Sequence, residues 1–276
     1  MSSIEAFFAT ELVLTHFHPT LKMSLMNEQE AFIPHDTKSV VAWSAPATIA
    51  WGLGILTFFI FLQLLATMFY VGHVYGDISQ EEFASIAGEI QYNGTLLALS
   101  LTLTGLVCTA LVVMIIGMKA GTSLNDYLLL KSVPWVEWRR WFGILGIFLA
   151  VSTLLSVVTG QDTPIFVSEV YSTADPFWML LLAIIIAAPL FDEVFFRGFL
   201  HRGLAQSLLG HVGAIVITAV LWAAIHTQYD YWDMTVVFLL GLLLGAARTY
   251  GGSLYLPLAL HAAHNGISVI LFHVSG

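Results

Sequence analysis

Charge is what this sequence has least of. Only 10% of its 276 residues are Asp, Glu, Lys or Arg, against about 25% in a soluble domain. So little charge leaves too little polar surface to face water on all sides, which excludes an ordinary soluble globular protein. Basic residues are scarcer still, nine Lys and Arg against eighteen Asp and Glu, for a formal net charge of -9. That balance provides no basic patch to neutralise phosphates, so a nucleic-acid partner is excluded. Cysteine occurs once, as Cys108 inside an apolar run. No intramolecular disulfide can form, and the residue reads as a small apolar filler. The basic stretch followed by an apolar core that marks a secretory signal is missing. Met1–Pro34 instead mixes Glu5, Glu11, His16, His18 and Lys22 with Ile4, Phe7, Phe8, Leu12 and Leu14. This suits a short amphipathic helix on a membrane surface and a disordered tail equally. No internal repeat and no dividing linker is found. The expected organisation is an N-terminal cytoplasmic or interfacial segment, residues 1–45, followed by one membrane-embedded domain, residues 46–276.

What is present in quantity is apolar. Hydrophobic residues make up 58% of the chain, and the mean hydropathy is +0.85. A helix needs about 20 mostly apolar residues to cross the hydrocarbon core of a bilayer. Seven segments are read as spans: Ala47–Val71, Thr95–Met118, Trp141–Thr159, Phe177 to beyond Arg197, Gly213–His226 with a helical lead-in, Met234–Thr249 and Leu254–Phe272. The expected fold class is therefore all-α, a polytopic transmembrane helical bundle of about seven spans. Its charges alternate by loop. Lys22 and Lys38 precede the first span, Lys119, Lys131, Arg139 and Arg140 separate the second from the third, Arg197 and Arg202 close the fourth, and Arg248 closes the sixth. The other loops carry Asp77, Glu81, Glu82, Glu89, Asp162, Glu169, Asp175, Asp230 and Asp233, with no Lys or Arg. By the positive-inside rule the N-terminus is cytoplasmic. In a prokaryote this would be a multi-pass protein of the cytoplasmic membrane.

Against that background a few polar residues stand out. The fourth span contains Asp192-Glu193-Val194-Phe195-Phe196-Arg197. Each charge at the centre of a membrane helix costs about 2.5–3.5 kcal/mol on insertion scales, so such residues mark function or pairing. Glu193 and Arg197 lie four apart on one face and can pair. Asp192 is left over and needs a separate partner. Pro189, one turn earlier, should loosen the helix above it. The structural alternative is that the triplet merely ends the helix, with Arg197 snorkelling to the interface. His226 ends the fifth span after Trp222, where a lone histidine is commonly interfacial. In the seventh span His261 and Asn265 share a face, while His264 points elsewhere and reads as structural. A carboxylate can act as general base toward water. Imidazoles can polarise a carbonyl or ligate zinc, which lowers the pKa of bound water. An amide can donate to an oxyanion. Together these groups suit amide hydrolysis without an obvious serine or cysteine nucleophile.

The same residues resemble the signatures of the CPBP family of intramembrane proteases, which includes the type II CAAX prenyl proteases. Its Glu-Glu-x-x-x-Arg motif is similar to Asp192–Arg197, its Phe-x-x-x-His to Trp222–His226, and its His-x-x-x-Asn to His261–Asn265 with a Gly-Ser-Leu-x-x-Pro approach at 252–257. The resemblance covers about 175–272. It implies an intramembrane endopeptidase acting on membrane proteins or lipidated peptides. Asp192 would activate the attacking water. His226 would hold that water or a metal ion, zinc by the resemblance. His261 would be a further ligand or, with Asn265, part of the oxyanion site. Glu193, Arg197 and Trp222 would support them. Two positions depart from the pattern. Asp192 replaces Glu, moving the carboxylate by about 1.5 Å, where a misplacement of about 1 Å can cost a hundredfold in rate. Trp222 replaces Phe but keeps an aromatic ring. A weakened or inactive scaffold protein is thus the first alternative, and a transporter or proton relay the second. The spacing also predicts that residues 199–212 project into the cytoplasm. Without that, helix rise would leave His226 too far from Asp192. The site should then lie in the cytoplasmic half or the middle of the membrane.

Overall fold

The computed structural model describes residues 41–275. The N-terminal amphipathic segment, Lys22 and Lys38 lie outside them. Ten helices follow one another, with no strand among the described residues: α1 Ala45–Val74, α2 Gln80–Gln91, α3 Gly94–Gly117, α4 Leu124–Leu128, α5 Trp135–Thr159, α6 Ile165–Thr173, α7 Phe177–Ala205, α8 Gly210–Ala224, α9 Tyr231–Tyr250 and α10 Tyr255–Ser275. The starts are set by local chemistry. Ser79 and Glu82 form a reciprocal capping box at α2, and Asn93, Ser123 and Asp230 cap α3, α4 and α9 by accepting a backbone N–H. α1 carries a proline in its first turn, and α5 begins directly after Pro134.

Six helices (α1, α3, α5, α7, α9 and α10) are long and apolar enough to cross a membrane. The protein is a multi-pass integral membrane protein. The remaining expected span, fifth in chain order, is α8, with 15 residues, about 22 Å, against a hydrocarbon thickness of about 30 Å. Its neighbour α7 has 29 residues, about 43 Å, and overshoots. The two make an antiparallel hairpin whose tip, residues 206–209, stands beyond the hydrocarbon if α7 starts at the outer boundary. Asp192 lies thirteen residues before the tip-side end of α7 and Trp222 twelve after the start of α8. Both therefore sit about 18–20 Å from the tip, and the two motifs come level.

α7 is the central helix. Half of its most apolar window is buried, against 11% in α1 and 6% in α5, which line the outside with Leu53, Leu64, Met68, Phe69, Ile147, Leu154 and Val158. Every residue of Glu193–Leu200 is buried. α3 crosses α7 at Gly105, where a Cβ would stand 2.8 Å from the Ala187 carbonyl oxygen. Only a glycine allows that approach. α8 and α9 pack as a pair against the second half of α7, and α10 runs alongside its first half. On the acidic side, Thr173 accepts from the Gly94 backbone N–H at 2.8 Å and donates to the Tyr92 carbonyl at 2.8 Å. This ties α6 to the start of α3.

Candidate active site

α7 is not a uniform α-helix. Ala183–Ala187 and Glu193–Leu200 are π-helical, on either side of a short α-helical turn, Ala188–Asp192. Such segments redirect side chains and recur at functional sites. Pro189 contributes directly. The Ala188 N–H donates to the Ala183 carbonyl in the i+5 pattern, and the next such donor would be residue 189, which has no N–H. The Ile184 carbonyl oxygen is thereby left for another partner. Asn265 of α10 supplies it, donating from Nδ2 at 2.7 Å. A carbonyl freed at membrane depth must be satisfied internally, and Asn265 does so.

The acidic pair separates into two environments. Glu193 is fully buried, and its Oε1 accepts from Arg197 Nη1 at 3.0 Å and lies 2.9 Å from His261 Nδ1. A carboxylate accepts only, so His261 carries its proton on Nδ1 in this contact and presents Nε2 elsewhere. Arg197 donates onward from Nη2 to the Gly241 carbonyl at 3.3 Å. Asp192 is only half-buried. Among the described residues its one donor is the indole Nε1–H of Trp222, 3.0 Å from Oδ2.

Trp222 is the hub that joins the three motifs. Its ring lies 5.1 Å, centroid to centroid, from both His226 and His261, edge-on to each. The Arg197 guanidinium sits 4.4 Å over its face, a cation–π contact. Its carbonyl oxygen lies 2.7 Å from His226 Nδ1. That carbonyl accepts, so Nδ1 holds the proton and Nε2 is left with a lone pair. Gly241 of α9 makes room for the indole, since a Cβ there would stand 3.0 Å from Ala219 Cβ and 3.2 Å from Trp222 Cε3.

Asp192, Glu193, Arg197, Trp222, His226 and His261 are thus gathered in one place. Asn265, one turn beyond His261 on α10, has one amide N–H committed to Ile184 of α7. His264 lies 3.3 Å from Asn265 Oδ1 and beside the Phe148 ring, outside the cluster. Among the described residues no three His, Cys, Asp or Glu side chains come together to hold a metal ion.

This assembled segment matches a known family. Residues 174–267 fit the family described as "Type II CAAX prenyl endopeptidase Rce1-like". That similarity spans the segment that carries the site. The match takes in Asp192 through Asn265 and leaves α1 to α6 outside it. A curated relative, an "Uncharacterized 24.3 kDa protein" of Escherichia coli, is 33% identical over 133 residues, 47% of this chain and 59% of the relative. The chain thus covers about three fifths of that relative's length. No solved structure matches.

Three features of the site escape the sequence patterns. The donor role of Trp222 was visible only as an indole where a phenyl ring is usual. The pairing of His261 with Glu193 rather than Asp192 has no sequence signal. Tyr229, stacked 6.0 Å from His226, falls in a short loop between α8 and α9 and belongs to no motif.

Proposed function

We propose that this protein is an intramembrane endopeptidase that hydrolyses peptide bonds of membrane-embedded or lipidated protein substrates. One observation carries the reading: a half-buried carboxylate on α7, His226 just past the end of α8 and His261 on α10 meet around Trp222, inside a segment that matches an endopeptidase family. The chemistry follows from which atoms are committed. Glu193 is occupied by Arg197 and His261, so Asp192 is the carboxylate that takes a proton from water. His226 Nε2 accepts the second hydrogen of the same water. Two acceptors so placed leave an oxygen lone pair directed at the scissile carbonyl carbon. Water attacks that carbon, and the carbonyl π-electron pair moves onto its oxygen. His261, its Nδ1–H held by Glu193, presents Nε2 to this oxyanion and serves it as a donor when doubly protonated. Asp192 then returns its proton to the leaving amine nitrogen as the C–N bond breaks. The scheme uses no metal. His226 and His261 Nε2 are the atoms a zinc ion would engage, and metal analysis of single histidine variants tests that assignment.

The substrate class follows from position. With α7 starting at the outer boundary, Asp192 would lie about 22 Å along it, in the inner half of a bilayer about 30 Å thick. Peptides that present a scissile bond near the cytoplasmic face suit it, including prenylated tails and cytoplasmic ends of membrane proteins. The test is cleavage of such peptides by the purified protein in detergent, with Asp192→Ala, His226→Ala and His261→Ala compared singly. Loss of cleavage in each with the fold retained supports the reading. No cleavage by the unmutated protein across several substrates favours a non-catalytic scaffold.

A further inference from the structure

Asp192 and Trp222 are the two positions at which this segment departs from the Glu-Glu-x-x-x-Arg and Phe-x-x-x-His patterns. The structure puts these two residues in contact, Trp222 Nε1 donating to Asp192 Oδ2 at 3.0 Å. A phenyl ring has no donor to offer. An aspartate carboxylate falls short of a glutamate's by one C–C bond, about 1.5 Å. An indole adds an N–H on the far side of the ring, where a phenyl ends. We propose that Trp222 is a positioning residue: its indole N–H fixes the shorter carboxylate of Asp192 for reaction with water, so the two departures form one coupled exchange. The proposal rests on the reading of Asp192 as the base.

The asymmetry between the partners gives the contact its direction. Trp222 is only 2% exposed, capped by Arg197, flanked by two imidazoles and backed by the Gly241 main chain. Its orientation is set without Asp192. Asp192 has no second donor among the described residues and is half-buried. Without the indole N–H its carboxylate is free to change rotamer, a swing larger than the 1 Å error that costs about a hundredfold.

Three variants read this out. Trp222→Phe should lower kcat by about 10–100-fold and leave KM nearly unchanged, because an interaction that orders the reacting groups is lost. Asp192→Glu alone should lose a similar factor, since the longer acid meets an indole that cannot move. The double variant Asp192→Glu/Trp222→Phe should recover most of the activity. Multiplying losses in the double variant would overturn the coupling, as would full kcat in Trp222→Phe. A packing role alone would give no rescue. The contact can also be read without a substrate. In protein labelled with 15N-tryptophan, the indole proton of Trp222, assigned by its disappearance in Trp222→Phe, should move upfield in Asp192→Ala and stay nearly in place in Asp192→Asn. A resonance indifferent to Asp192→Ala overturns the proposal. If the unmutated protein cleaves nothing while that resonance responds, the catalytic reading fails, the positioning role falls with it, and only the contact stands.

Discussion

Replacing Arg197 by methionine removes the cation that keeps a buried carboxylate neutralised. Both partners are fully buried, with Nη1 and Oε1 3.0 Å apart, and the guanidinium also serves the Gly241 carbonyl and the Trp222 ring. Methionine fills much of the volume but leaves Glu193 charged in a low-dielectric setting. Breaking one side of a buried pair in this way costs about 3–5 kcal/mol. At about 2–4 °C per kcal/mol for a chain near this size, melting should fall by about 6–20 °C. The informative comparison is Glu193→Gln/Arg197→Met. Glutamine carries no charge, and its Oε1 can still accept from His261 Nδ1, so the double variant should lose less than Arg197→Met alone. Thermal unfolding in one detergent, followed by intrinsic fluorescence and by far-ultraviolet dichroism, measures both. The reasoning is refuted if Arg197→Met costs under about 1 kcal/mol, or if the double variant is the less stable of the two.

Other outcomes follow from the same contacts. Asn265→Ala removes the only described side-chain donor to the Ile184 carbonyl and should cost about 1–3 kcal/mol, seen as a lower melting temperature with correct membrane insertion. Gly241→Val drives a Cβ against Ala219 and Trp222 and should destabilise by about 1–3 kcal/mol. It should also lower kcat, because the indole must shift, and parallel melting and cleavage assays check both effects. Exhaustive dialysis against a chelator should leave kcat unchanged. Activity lost to the chelator and restored by zinc would contradict the metal-free scheme.

Much of the architecture could be read from composition, because a lipid-facing helix announces itself by length and hydropathy. The central span was expected from near Phe177 to beyond Arg197, and α7 runs Phe177–Ala205. α5 starts six residues earlier than its apolar run, at Trp135 rather than Trp141. Pro134 sets its start, and Glu137, Arg139 and Arg140 extend it into the polar interface. α2 is too polar and α6, with nine residues, too short to stand out as spans, although Ser79 and Glu82 spell a capping box. α8, the seventh apolar helix, has 15 residues and is shorter than the six others. The hairpin it forms with α7 turns at residues 206–209, while Phe199–Leu204 are buried among the other helices.

The site was legible as a set of residues and not as a set of contacts. Spacing placed Glu193 with Arg197 because a helical repeat fixes that geometry. Nothing local fixes which carboxylate a histidine on α10 will meet, and His261 met Glu193. The bond from Asn265 to Ile184 depends on a π-helical register and on the N–H that Pro189 lacks. It emerges only once α7 and α10 are side by side. Asp192 read as a carboxylate one methylene short. Its indole donor from α8 was hidden because Trp222 counted as an aromatic and not as an N–H.

The central claim is hydrolysis by water that Asp192 activates. Cleavage of a membrane-embedded or prenylated peptide in 18O-labelled water, with the products weighed by mass spectrometry, addresses it most directly. The account predicts one heavy oxygen in the new carboxyl terminus with the unmutated protein, and no product with a folded Asp192→Ala. Cleavage that persists in Asp192→Ala, or a product without the label, would contradict it.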